Sequence, residues 1–247
     1  MLQHLCKRYL ALISLGCFFV LIQTANAADR LAEERSVAFA AYEHKNYKLA
    51  YVLLNKLAKQ GDVYANYNLA HLLEAGQGTE VDLERAIHHY KFAIENGVLD
   101  AANNLGAIYS EKMSGKESSE LAVYYYRLAA DKGNLNAQSN LAQYYLLGEK
   151  IEQDFSIAHK YFTMAALQDD MLSQYQLGVM YVNGDGVKQN IIEAYAWISL
   201  ANQNGVSLAP SMLMKLKSLL DPASLQQARE RAVSIRATIE KKRSKTP

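Results

Sequence analysis

Cysteine is almost missing from this 247-residue chain, and its two copies, Cys6 and Cys17, both lie in a segment that reads as removable. Lys7-Arg8 gives that segment a basic start, Leu10 to Ile22 is an apolar run, and Ala25-Asn26-Ala27 is a small–x–small cleavage site. Residues 1–27 therefore read as a secretory signal peptide cleaved after Ala27, too short and wrongly flanked for a membrane span. Leu15-Gly16-Cys17 has the outline of a lipoprotein box, but Phe18-Phe19-Val20 follow it, so lipidation is not expected. The mature chain then has no thiol, which excludes disulfides and cysteine–metal sites.

An excess of one charge is missing too. Cleavage lowers Lys+Arg from 26 to 24 against 25 Asp+Glu, a net charge of −1. Such a balance offers no global attraction to nucleic acid or anionic lipid. Only the end, KKRSKTP at 241–247, is basic, and it reads as a disordered, solvated tail. S-x-x-K and H-E-x-x-H are also absent, which removes the signatures of penicilloyl-serine enzymes and zinc peptidases. His71, His88 and His89 form the one histidine cluster. His88 and His89, adjacent on a helix, point about 100° apart and cannot easily share an ion. No catalytic residue, metal or cofactor is expected.

What the chain does have is a repeat. In steps of 36 residues, Leu177-Gly178 is preceded by Leu141-Ala142, Leu105-Gly106 and Leu69-Ala70. Tyr181 is preceded by Tyr145, Tyr109 and Leu73, and Gly205 by Asp169, Gly133, Gly97 and Gly61. Each unit reads as two helices. In the first, the Leu–small pair and the ring that follows share a face. In the second, Ala194, Trp197, Ile198 and Ala201 make one apolar stripe at i, i+3, i+4 and i+7. His89 occupies the Trp197 column and reads as a packing residue. Asp82, Ser118, Asp154 and Asn190 stand where they can cap the second helices.

Gly184-Asp185-Gly186 has the look of a phosphate loop, but it matches Gly76 and Gly78 in the turn between paired helices. No Lys–Ser/Thr follows it, so it reads as a turn needing left-handed backbone. SEKMSGKESSE replaces that turn in the 101–136 unit, where a differently shaped turn or loop is expected. Asp169 stands in a column of helix-ending glycines. Its replacement by glycine is expected to stabilise by roughly 0.5–1 kcal/mol, and Gly133→Val to destabilise by more.

These columns closely resemble the Sel-one-like repeat (SLR) family, relatives of the tetratricopeptide repeats. Ser173 to Gly205 matches its pattern A-x-x-x-L-G-x-x-Y-x-x-G-x-G-V, then A-x-x-W-Y-x-x-A-A-x-x-G, with Ser for the leading Ala and Ile198 for Tyr. The resemblance implies an all-α, right-handed solenoid of antiparallel helix pairs over 28–208, in repeats of about 29–64, 65–100, 101–136, 137–172 and 173–208. It also implies capping helices over 209–240. Its cysteine-rich, β-lactam-associated branch has a disulfide in each repeat and is a poor match.

By analogy with tetratricopeptide grooves, the first helices would line a concave face that binds a protein or peptide of the cell envelope. The expected contacts are Tyr67, His71, Asn103, Asn136, Ser139, Gln143 and Tyr175. Amides and hydroxyls in the middle would bond a peptide backbone, and aromatic ends would anchor it. The implied protein is a non-enzymatic periplasmic adaptor. Alternatives are a peptidoglycan- or β-lactam-binding protein or hydrolase, and a structural part of an envelope machine such as a flagellar motor.

Overall fold

Most helices here have a start or a stop written into the sequence. The computed structural model describes residues 30–244, so the expected signal peptide and its cleavage site lie outside the described residues. The chain divides into two compact units, one ending at Asn96 and the other beginning at Gly97. The first holds α1 (30–43), α2 (Tyr47–Lys59), α3 (Val63–Ala75) and α4 (Leu83–Glu95). The second opens with α5 (Asp100–Ala107), which runs into a π-helical turn at Ile108–Lys112, and α6 (Lys116–Ala130). It continues with α7 (Leu135–Leu147), α8 (Phe155–Ala166), α9 (Met171–Asn183) and α10 (Ile191–Gln203). It closes with α11 (Ala209–Ser218) and α12 (Pro222–Arg243). Among the described residues there is no strand, and no helix is long and apolar enough to cross a membrane.

The starts are side-chain caps that satisfy N–H groups of the first turn. Asp82 accepts from the amide of Arg85, Asp154 from that of Ile157, and Asn190 from those of Ile192 and Glu193. Three of the first helices, α3, α7 and α9, are capped in the same way, whereas α5 has no side-chain cap. Asp62, Asn134 and Asp170 accept from Ala65, Ala137 and Ser173, each at 2.8 Å. Ser118 does not cap. The helix there begins two residues earlier, after Gly115, and the Ser118 hydroxyl donates to the Ser114 carbonyl instead.

The stops are left-handed residues. Gly76, Gly148 and Gly184 end α3, α7 and α9 with φ of 66°, 63° and 83°. The next glycine of the turn has a different role. A Cβ on Gly78 would lie 2.2 Å from the Tyr47 carbonyl oxygen, and one on Gly186 2.2 Å from that of Phe155. Each turn thus rests, backbone on backbone, against the start of the preceding repeat's second helix. In the unit without this turn, α5 ends in the π-helical segment, and Met113 then takes an extended conformation.

The core is the set of repeat columns. Leu69, Ala70, Leu105, Leu141, Ala142 and Leu177 are fully buried, as are Ala194, Ile198 and Ala201 with Trp197 beside them. The small position lets the two helices of a pair touch. A Cβ on Gly106 would stand 2.6 Å from the Tyr126 ring, and one on Gly178 2.4 Å from Ile198. Tyr109 is buried and stacks on Tyr125, with ring centroids 5.7 Å apart. Past the repeats, α11 and α12 both pack on α10. α12 buries Ala228, Ala232, Ile235 and Ile239 along one stripe. The basic stretch 241–247 is not a disordered tail from its start, because residues 241–243 continue α12 and Arg243 is tied into the fold.

Candidate partner-binding site

One polar column holds the repeats together, and sequence reasoning missed it. Asn66, Gln138 and Gln174 share a first-helix position and are all buried. Each donates its side-chain amide to the carbonyl eight residues back, at the end of the preceding second helix: Ala58, Ala130 and Ala166. Their oxygens are satisfied in turn by His89, Gln168 and Asn204. The signal was the recurrence of amides at multiples of 36 residues. His89 Nδ1 lies 2.7 Å from Asn66 Oδ1, so the ring donates there. Burial, then the charges of His88 and Arg85, pull its pKa down to about 4 and keep the imidazole neutral. His89 is therefore a packing and hydrogen-bonding residue of the first unit.

A second missed network lies at Asp169. It does adopt the left-handed conformation of its column, with φ of 70°. Its carboxylate, however, is almost fully buried. It accepts from Gln174 at 2.8 Å, Asn204 at 2.9 Å and Arg236 at 2.9 Å, and it pairs with Arg243 at 2.9 Å. Burial raises its pKa, but these four partners outweigh that and hold it below the ordinary carboxylate value. Both arginines come from α12, so Asp169 pins the terminal helix to the end of the 137–172 repeat. These contacts oppose the expectation that glycine would be better here.

The expected contact residues fall into two groups. In the first unit, Tyr67 and His71 are half-buried on α3. His71 Nδ1 shares a 2.9 Å hydrogen bond with the Tyr42 hydroxyl, and Tyr67 leans on Tyr90 with centroids 6.0 Å apart. In the second unit, Asn103 on α5 is already engaged. It donates to Asn104 and accepts from Asn140 on α7, at 3.0 Å. Asn136 is exposed on α7, with Ser139 and Gln143 half-buried one and two turns further along the same face. Tyr175 on α9 packs partly against the apolar cluster of α10 and α11. Of the seven, Asn136, Ser139 and Gln143 form the continuous row.

Gln143 also lines a cavity of about 230 Å³ on the first-helix side of the second unit, with Asn140, Tyr144 and Leu147 of α7. Ser110 and Glu111 of the π-helical turn form the opposite wall. Ser110 bonds the Tyr126 hydroxyl at 2.9 Å, and burial pushes that phenol's pKa up to about 12. A second hollow, about 480 Å³, lies by α6 and α8 and includes Glu120, Tyr145 and Asp154. No group of three or more histidine, cysteine, aspartate or glutamate side chains converges on a metal position among the described residues.

A family profile described as Sel1 repeat matches residues 43–62, 63–98, 99–134, 135–170 and 172–206. Among solved structures, the chain is similar to a protective antigen of uropathogenic Escherichia coli strains displaying an SLR fold. The identity is 30% and the TM-score 0.67, over 81% of this chain and 44% of that one. It is also similar to a Sel1 repeat protein from Oxalobacter formigenes, at 30% identity and a TM-score of 0.59, over 69% of this chain and 49% of that one. The chain thus spans less than half the length of each of these relatives. No curated protein matches it.

Proposed function

The chain belongs to the Sel1 repeat family, an all-α solenoid class, and from that premise we propose that it is an exported, non-enzymatic adaptor binding a protein or peptide through its first helices. Sel1 repeat proteins are generally protein-interaction scaffolds and typically non-catalytic. The observation that carries the reading is the row Asn136, Ser139 and Gln143. The second-helix apolar stripes and the buried amide column are consumed by packing, whereas this row stays open on one helix face. Its amides and hydroxyl can donate to and accept from an extended chain without demanding a charge. Export is supported by the Lys7-Arg8 start, the apolar run and the Ala25-Asn26-Ala27 site, and a bacterial periplasm is the compartment this reading proposes.

The test pairs capture with stability. The full chain is expressed in its host, recovered from the periplasm and used to capture partners after cross-linking. Mass spectrometry of the recovered protein should read Ala28 at its N-terminus; a retained leader or a lipidated Cys17 refutes soluble export. Asn136→Ala combined with Ser139→Ala should lower the captured partner at least roughly tenfold, since an unmade buried hydrogen bond costs about 1–3 kcal/mol. The thermal melt should not move, because these side chains lie outside the core. Normal capture by this variant, with loss on changing Tyr124, exposed on α6, would place the partner on the second helices instead.

A further inference from the structure

The 230 Å³ cavity sits where the repeat pattern is broken. The paired glycines of the turn are Gly76 and Gly78 in one unit and Gly184 and Gly186 in another, but Lys112 and Ser114 occupy those columns after α5, and Lys150 stands in the second column after α7. A lysine cannot make the side-chain-free approach seen at Gly78 and Gly186. Lys150 instead sends its ammonium to the carbonyl of Ser110, in the π-helical turn one repeat earlier. The first helices of these two repeats flank a half-open pocket, with a wall of π-helix, an element that recurs at functional sites.

The lining defines what fits. Glu111 and Glu149 are two exposed carboxylates on it, and among the described residues that line it the cation is Lys150, held by the Ser110 carbonyl. Tyr126 and Tyr144 contribute rings 6.3 Å apart. The Tyr144 hydroxyl is buried with no hydrogen-bond partner among the described residues, which leaves a polar group that a ligand would satisfy. At about 230 Å³ the space is smaller than a typical small-molecule site and suits one long side chain. An anion would meet two carboxylates, and an apolar chain would leave the orphan hydroxyl unsatisfied. A guanidinium can pair with a carboxylate in bidentate fashion, lie against a tyrosine ring and donate to the free phenol oxygen.

We propose that this cavity receives an arginine side chain presented by the bound partner. The inference rests on the adaptor reading and names the chemistry of the partner at this site. The test uses the purified exported chain and three acetylated, amidated pentapeptides, Gly-Ser-Xaa-Ser-Gly, in which Xaa is arginine, norleucine or glutamate. Binding is read from NMR shifts of Gln143 and Tyr144. The arginine peptide should saturate, with the other two at least about tenfold weaker, in keeping with a specificity set by charge and unmatched polar groups. Glu111→Gln and Glu149→Gln should each weaken it about fivefold, the scale of one partly exposed charge pair, without moving the melt.

Tyr144→Phe should weaken the arginine peptide and leave the norleucine peptide unchanged. Equal binding of arginine and norleucine, no saturation by arginine, or full arginine binding in both glutamate variants overturns the proposal. These outcomes are separable from partner capture. Capture that depends on Asn136 and Ser139 while the arginine peptide fails removes only this pocket. A saturating arginine peptide beside failed capture removes only the adaptor reading.

Discussion

Replacing Asp169 by glycine sets a local rule against a tertiary network. The local term favours glycine. Asp169 sits at φ 70°, a conformation that costs a residue with a Cβ roughly 1 kcal/mol, at the low end because aspartate tolerates it. The tertiary term opposes it. The side chain is 7% exposed and accepts from Gln174, Asn204 and Arg236, with Arg243 as a further ion pair. Hydrogen bonds to charged groups contribute about 1.5–3 kcal/mol each, and they do not add within one network. Arg243 is 64% exposed and adds little, while Arg236 at 24% would be left half-buried without its counter-ion.

A loss of about 3 kcal/mol against a gain of about 1 leaves Asp169→Gly destabilised by roughly 2 kcal/mol. Urea unfolding followed by circular dichroism measures this, and Asp169→Asn should fall between the two because it keeps the backbone preference and loses the charge. The pH dependence gives an independent check. The carboxylate's pKa is depressed in the fold, so its contribution is fully present above the ordinary value of 3.8 and is lost as pH falls through the lower, folded value. The gap between wild type and Asp169→Asn should therefore narrow only below about pH 4. A glycine variant as stable as wild type at pH 7 would refute the argument and return the position to a plain helix stop.

Two further expectations test the packing directly. Gly106→Ala should destabilise by about 1–3 kcal/mol, because its Cβ would press into the Tyr126 ring and the neighbouring phenol–Ser110 hydrogen bond; a neutral urea midpoint would mean that the pair has slack. Gln138→Leu should cost about 1–3 kcal/mol by removing one of the donors to the Ala130 carbonyl and one of the acceptors of the Gln168 amide, which keep the Gly133 N–H and the Gly133 carbonyl, and hydrogen exchange should rise at the start of α7; unchanged exchange there would show that the amide column does not couple successive repeats.

The helix pairs were legible because the period of 36 residues has no insertions, and each apolar or small position recurs where the same packing recurs. Caps were legible for the same reason at Asp82, Asp154 and Asn190. Ser118 misled because its helix starts earlier, and capping depends on where the backbone turns rather than on residue type alone. The amide column was readable in principle, since Asn66, Gln138 and Gln174 are spaced by the period, but amides draw no attention unless their burial is known. Asp169 was read by its column alone. Its arginines lie 67 and 74 residues away, on a helix outside the period, so nothing local announced them. The cavity came from what is missing: with no glycine at 112 or 114, the first helix has no left-handed stop and its end winds into a π-turn.

The close seating of Gly78 against Tyr47, and of Gly186 against Phe155, bears on how such a chain can change over generations. The gap between one repeat and the next is gauged there by main-chain atoms, which every amino acid shares. Substitutions on the outward row of the first helices leave that gauge untouched. Recognition can therefore drift, or be rewritten by an engineer, one side chain at a time while the spacing stays constant. A lineage that gives up the glycine, as at Lys150, alters the gauge itself, and here a recess lies beside the altered turn.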